Sequence, residues 1–181
     1  MKLISTTLED CFIIEPIIYR DKRGEFFESF NKRDLEKALG QPLSFVQDNH
    51  SVSHRGVLRG LHFQTGHKAQ AKLVRVLKGE VLDVVVDLRK ESRSYKKVFK
   101  TILSEKNNHM LFIPKGMAHG FLSLEDDTIF LYKCDEYYDN QSESGIIFND
   151  PDLNINWGFP SDKIVLSEKD RKLPRLKDLK L

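Results

Sequence analysis

Hydrophobic and polar residues alternate along most of this chain. In VLDVVVDLR, Leu82, Val84, Val86 and Leu88 fall on one face, and Val81, Asp83, Val85 and Asp87 on the other. That period of two predicts a β-strand. KLVRVL precedes it, with Lys78–Glu80 as the turn between the two. VFKTILSE, HMLFIPKGMAHGFLSL and TIFLYKCDEYY continue the pattern at short spacing. Many short strands broken by Gly and Pro predict an antiparallel sandwich or small barrel. Helical spacing occurs in few places. NKRDLEKALG, residues 31–40, has Asn31 to cap its start, Leu35, Ala38 and Leu39 as an apolar face, and Gly40 to end it. A shorter helical turn is expected at Ser167–Lys172. These patterns exclude a helical bundle. They also argue against a doubly wound α/β fold, because helices do not alternate with strands.

Composition narrows the class without naming a function. With 181 residues, 40% apolar and 31% charged, the chain suits one domain, 1–181, with a full core. A net charge of +2 implies neither a nucleic-acid nor a membrane partner. Cys11 and Cys134 have no metal-type spacing and read as free thiols in a reducing compartment. No stretch has the length and apolarity of a secretory signal or a membrane span, so a cytoplasmic location is expected.

The strands carry chemistry that a core does not require. His62 and His119 stand on core-like strands, yet a metal centre needs three or four converging ligands. Phe63 and Gln64 follow His62, and Lys68, Gln70 and Lys72 fill the region beyond, so no metal is expected. An anion-binding pocket fits better. An inward Lys72 is costly unless it meets negative charge, and Arg59 offers a planar fork for phosphate or carboxylate. DKRGEFFE adds Arg23 and Glu28, QDNHS adds the amides of Gln47 and Asn49, and Tyr132 lies between apolar neighbours. His50, His54, His67 and His109 read as structural or solvated. Tyr137 and Tyr138 read as packing or rim residues, and Asp170 reads equally as a helix-turn residue. From the residues alone, this is a β-rich protein with an anion-binding pocket.

GVLRGLHFQ, QAKLVRVLKGEVLDVVVDLR and IPKGMAHGF together resemble the dTDP-4-dehydrorhamnose 3,5-epimerase family. DKRGEFFE, FVQDNHSVS, SESGIIFNDPDLNINW and VLSEKD resemble family segments in the same order, over nearly the whole chain. The resemblance implies a cupin-like antiparallel jelly-roll barrel with a few short helices. It implies an isomerase that inverts C3 and C5 of dTDP-4-dehydro-6-deoxy-D-glucose, giving dTDP-4-dehydro-L-rhamnose for dTDP-L-rhamnose and surface polysaccharide. The 4-keto group acidifies both neighbouring C–H bonds, so a base, an opposed acid and an enolate-stabilising donor suffice, with no cofactor.

By the same resemblance His62 is the base, Asp170 orients it, Lys72 stabilises the enolate and Tyr132 is the acid. Arg23, Glu28, Gln47, Asn49, Arg59, Lys72, His119, Glu143 and Lys169 match positions that bind the nucleotide sugar. The family implies a homodimer with exchanged N-terminal strands, so residues 23–28 could serve the neighbouring subunit. Competing readings are a mono-epimerase or keto-isomerase for another deoxysugar, and a non-catalytic sugar-binding cupin. A metal-dependent cupin oxygenase comes last.

Overall fold

The computed structural model describes residues 1–179. Its strands are β1 (Lys2–Ser5), β2 (Phe12–Glu15), β3 (Tyr19–Asp21), β4 (Gly24–Phe26), β5 (Gln47–Ser53), β6 (Leu58–Gln64) and β7 (Lys72–Lys78). They continue as β8 (Glu80–Asp87), β9 (Val98–Ser104), β10 (Met110–Ile113), β11 (Met117–Ser123), β12 (Thr128–Cys134) and β13 (Glu143–Gly145). One sheet runs β1-β2-β10-β7-β12-β5, the other β13-β6-β11-β8-β9, and every pairing within them is antiparallel. From β5 to β8 the chain changes sheet at each step, which makes the two sheets a jelly roll.

The alternation of β8 explains how three layers form from two sheets. Val81 and Val85 enter the inter-sheet core with Val74, Val76, Leu111, Ile113, Phe121 and Phe130. Val84 and Val86 point the other way, into a second core closed by Ile146, Leu153, Trp157, Ile164 and Leu176 from the C-terminal segment. The strand is buried on both faces. A third cluster covers the outer face of the first sheet, where Leu73, Met110 and Phe112 pack on Leu35 of α1 (Lys32–Leu39). That helix begins and ends where the sequence places it. The Asn31 side chain accepts from the Asp34 N–H, and Gly40 takes φ 70° while its N–H donates to the Glu36 carbonyl.

A turn does fall at Lys78–Glu80, but the strands it joins are not neighbours: β7 and β8 lie in different sheets. Gly79 takes the corner at φ 81°, and a Cβ there would lie 2.5 Å from Thr128 Oγ1.

The C-terminal segment is tied to the barrel rather than draped over it. The Leu58 N–H donates to the Val165 carbonyl at 2.9 Å, and the Val165 N–H donates to the Gly56 carbonyl at 2.8 Å. The buried Asp150 carboxylate accepts from the backbone N–H groups of Asp152, Leu153 and Leu176. This anchoring carries α2 (Glu168–Arg171) to the mouth of the barrel, capped by the Ser167 hydroxyl accepting from the Asp170 N–H. At the other end of the chain, β3 and β4 form a separate hairpin arm with Tyr19 and Phe26 exposed.

The close approach of β6 to β11 depends on glycine. Gly60 adopts φ 135°, and a Cβ there would sit 2.5 Å from the Gly120 Cα. A Gly60→Ala substitution is expected to destabilise the fold by roughly 1–3 kcal/mol, because the collision is with backbone rather than a movable side chain. The midpoint of urea unfolding against the unaltered chain measures it; an unchanged midpoint would contradict the packing described.

Candidate active site

Between the sheets the barrel interior changes from apolar to polar at one end. A cavity of about 620 Å³ opens there, lined by Asn49, Arg59, His62, Lys72, His119, Tyr132, Lys169 and Asp170, among others. An adjoining lobe of about 240 Å³ shares Asn49, His62, Lys72 and Tyr132 and adds Gln47, Tyr138 and Glu143. Strand register explains the convergence. His62 on β6 lies opposite His119 on β11, and on the facing sheet Tyr132 of β12 pairs with Asn49 of β5 and Val74 of β7. His62 and Tyr132 therefore reach the same space from opposite sheets.

His62 is the best-oriented side chain of the set. Its Nε2 lies 2.7 Å from Asp170 Oδ1. Burial alone would push the Asp170 carboxyl up. The hydrogen bond and charge of His62, with support from Ser167 and the Gly60 backbone, outweigh it and hold Asp170 below the usual carboxylate range. An ionised Asp170 takes the Nε2 proton as a hydrogen bond, which leaves Nδ1 as the basic nitrogen of His62. A second pair sits beside it, with His119 Nε2 2.9 Å from Oδ2 of the fully buried Asp83.

Lys72 is only 8% exposed, and its Nζ lies 6.0 Å from the centre of the Tyr132 ring. Burial lowers the pKa of this ammonium, against the weaker opposing pull of Cys134, Asp83 and Glu143. Burial raises that of Tyr132, with Cys134 adding to the rise, so its phenol stays protonated through neutral pH. At the rim, Glu143 accepts from Lys169 and from the Tyr138 hydroxyl. Burial would raise the Glu143 carboxyl, but these two hydrogen bonds bring it below its ordinary value.

Arg59 reaches across the barrel end to β5. Its Nε donates to Ser53 Oγ at 3.1 Å and its Nη2 to the Val52 carbonyl at 3.3 Å. Arg23 and Glu28 are not brought to the cavity of this chain. Arg23 pairs with Asp21 on the exposed hairpin arm, and Glu28 accepts from the Asn31 amide. Tyr138, expected in packing or at the rim, lies at the rim and lines the smaller lobe; its hydrogen bond to Glu143 joins residues five apart across a turn, a contact that periodicity does not expose. Asp83 was visible as a polar residue on the inward row of β8, but its partner His119 lies on another strand. Among the described residues no group of three or more His, Cys, Asp or Glu side chains is placed to hold a metal ion.

A jelly roll whose interior gathers a histidine–aspartate pair, a buried lysine and a tyrosine defines a cupin-type barrel with a polar, cation-bearing cavity. Comparison with known proteins makes the assignment specific. The family model described as dTDP-4-dehydrorhamnose 3,5-epimerase matches residues 5–178. The Escherichia coli protein of that name is 50% identical over 179 residues, covering 99% of this chain and 96% of its own length. The crystal structure of dTDP-4-dehydrorhamnose 3,5-epimerase from Elizabethkingia anophelis superposes with a TM-score of 0.95 at 48% identity, over 98% of this chain and 97% of that one. The Legionella pneumophila dTDP-6-deoxy-D-glucose-3,5-epimerase, in complex with dTDP-4-keto-L-rhamnose, gives 0.94 at 45% identity, over 98% and 94%. This chain belongs to the dTDP-4-dehydrorhamnose 3,5-epimerase family.

The buried ammonium has a consequence for stability. A lysine pKa lowered on folding means that the unfolded chain binds more protons between the folded and unfolded values, so stability rises with pH across that window. Below it the charged, desolvated form is a net cost. Lys72→Met is therefore expected to raise stability at neutral pH by about 1 kcal/mol or more. Urea unfolding at pH 7 measures it, and a lower midpoint would contradict the burial cost.

Proposed function

We propose that this protein epimerises dTDP-4-dehydro-6-deoxy-D-glucose at C3 and C5 to dTDP-4-dehydro-L-rhamnose, on the pathway to dTDP-L-rhamnose. The observation that supports this reading is that His62, paired with Asp170, and Tyr132 line one cavity from opposite sheets, with Lys72 beside the Tyr132 ring. His62 Nδ1 removes the proton from the carbon beside the keto group. The electron pair moves into the carbonyl, and the oxyanion meets the Lys72 ammonium, whose charge is worth most where water is excluded. The Tyr132 hydroxyl delivers a proton to the opposite face of the carbon. Asp170 fixes the tautomer of His62 and stabilises the imidazolium. Arg59 and His119 serve the diphosphate and sugar, and Gln47, Asn49, Glu143 and Lys169 the remaining polar edges. The chemistry assigned to these residues calls on no cofactor.

The location proposed is the cytoplasm, in keeping with the absence of any helix among the described residues long and apolar enough to cross a membrane. We also propose a homodimer. The β3–β4 arm carries exposed Tyr19 and Phe26, Ile17 is exposed just ahead of it, and β5 is an open sheet edge with Val52 exposed. Exchange of that arm would give Arg23 and Glu28 a role in the partner's cavity.

Two measurements test these assignments. His62→Ala is expected to lower the rate of product formation by roughly 10²–10⁴-fold, whereas Tyr132→Phe keeps proton abstraction and loses delivery to the opposite face. Full epimerase activity in His62→Ala would remove the base from the scheme. Light scattering is expected to give twice the 21.0 kDa chain mass; a monomer at working concentration would contradict the exchange.

A further inference from the structure

Val81, Asp83 and Val85 make the inward row of β8, and both valines belong to the apolar inter-sheet core. Asp83 interrupts that row with a carboxyl group at 0% exposure. Its register partner on β11 is Phe121, which stacks on Phe130 with ring centres 4.1 Å apart. Ionising a carboxyl group in such surroundings is costly unless its charge is used. His119 accounts for one oxygen only. Oδ2 lies 2.9 Å from His119 Nε2, a bond that an asparagine amide oxygen accepts equally well. Oδ1 is buried and has no hydrogen-bond partner among the described residues.

The group with the opposite need is Lys72. It heads the inward row of β7, ahead of Val74 and Val76, on the sheet that faces β8. Burial pulls the pKa of its ammonium down, and negative charge at Asp83 works against that pull. The other groups at this end of the barrel are less suited to balance it. Cys134 on β12 lies opposite Lys72, but burial raises its thiol pKa and keeps it uncharged at neutral pH, as burial does for Tyr132 on the same strand. Glu143 on β13 is held by Lys169, and Asp170 on α2 by His62 of β6. Arg59 adds positive charge, and β10 presents apolar Ile113 opposite Lys72. Asp83 is paired with a histidine instead of a lysine or arginine, so no permanent cation cancels its charge.

We propose that Asp83 is a positioning residue for the reaction: its carboxylate, steadied by His119, is the internal counter-charge that keeps Lys72 protonated until the enolate oxygen forms. The inference rests on the role given to Lys72 above and deepens it. Asp83 lies behind the cavity wall and acts on the ligand only through Lys72.

The test is Asp83→Asn in the full chain, which keeps the shape and the bond to His119 but removes the charge. NMR titration of the Lys72 Cε signal, assigned by its loss in Lys72→Met, is expected to give a midpoint at lower pH in Asp83→Asn than in the unaltered chain. An unmoved midpoint overturns the inference. The alkaline limb of kcat/KM is expected to move the same way, with a loss of up to about 10²-fold at its alkaline end, that of one oxyanion donor. A loss uniform across pH would make Asp83 structural and overturn the inference. In urea unfolding at pH 7, Lys72→Met is expected to raise the midpoint more in the Asp83→Asn background than in the unaltered chain; equal gains overturn the coupling. If Asp83→Asn alone does not fold, recovery of a folded chain by adding Lys72→Met supports the inference, and failure of the double variant overturns it. The Lys72 titration needs no substrate. A shifted midpoint without turnover by the unaltered protein therefore keeps the counter-charge and removes the epimerase, while turnover with an unmoved midpoint does the reverse.

Discussion

The desolvated ammonium of Lys72 is the constraint around which the rest of this barrel is arranged. At 8% exposure, with burial driving its pKa down, it costs free energy in the empty fold and is useful only where negative charge develops. Its surroundings follow from that. The carboxylates that act on it, Asp83 and Glu143, do so at range, and their neighbours Asp83–His119 and Glu143–Lys169 keep each acid occupied with another partner. Among the described residues no hydrogen bond joins Lys72 to a carboxylate.

Supporting such a site takes more than the two sheets. The inter-sheet core of Val74, Val85, Leu111 and Phe130 closes one end of the barrel, leaving the polar end open. The segment from Ile146 to Leu176 packs a third layer on the outer face of the second sheet and delivers Asp170 to His62. One residue of a four-residue helix thus depends on a whole layer for its position.

Much of this was legible in the sequence, for physical reasons that differ by element. Period-two spacing marked β8, β11 and β12 because successive strand side chains point to opposite sheet faces, and Asn31 and Gly40 marked α1 because its ends need a side-chain cap and a left-handed residue. The corner at Gly79 was visible as a turn, but nothing local tells a corner between sheets from a hairpin within one. Lys72 and Arg59 stood out because cations on core strands are expensive. The family resemblance supplied the roles of Asp170 and Tyr132, which residue patterns alone leave open. Arg23 and Glu28 stay outside the cavity of the single chain, as residues on an arm that projects from it do.

In the proposed reaction this cavity moves protons at the two carbons flanking a ketone. NMR of dTDP-4-dehydro-6-deoxy-D-glucose incubated with the unaltered protein in heavy water tests it most directly. The expected result is deuterium at both C3 and C5 with formation of the 4-keto-L-rhamnose nucleotide. Deuterium at one carbon alone would contradict the two-centre reaction, and no exchange at either would contradict the assignment of His62 and Tyr132 as base and acid.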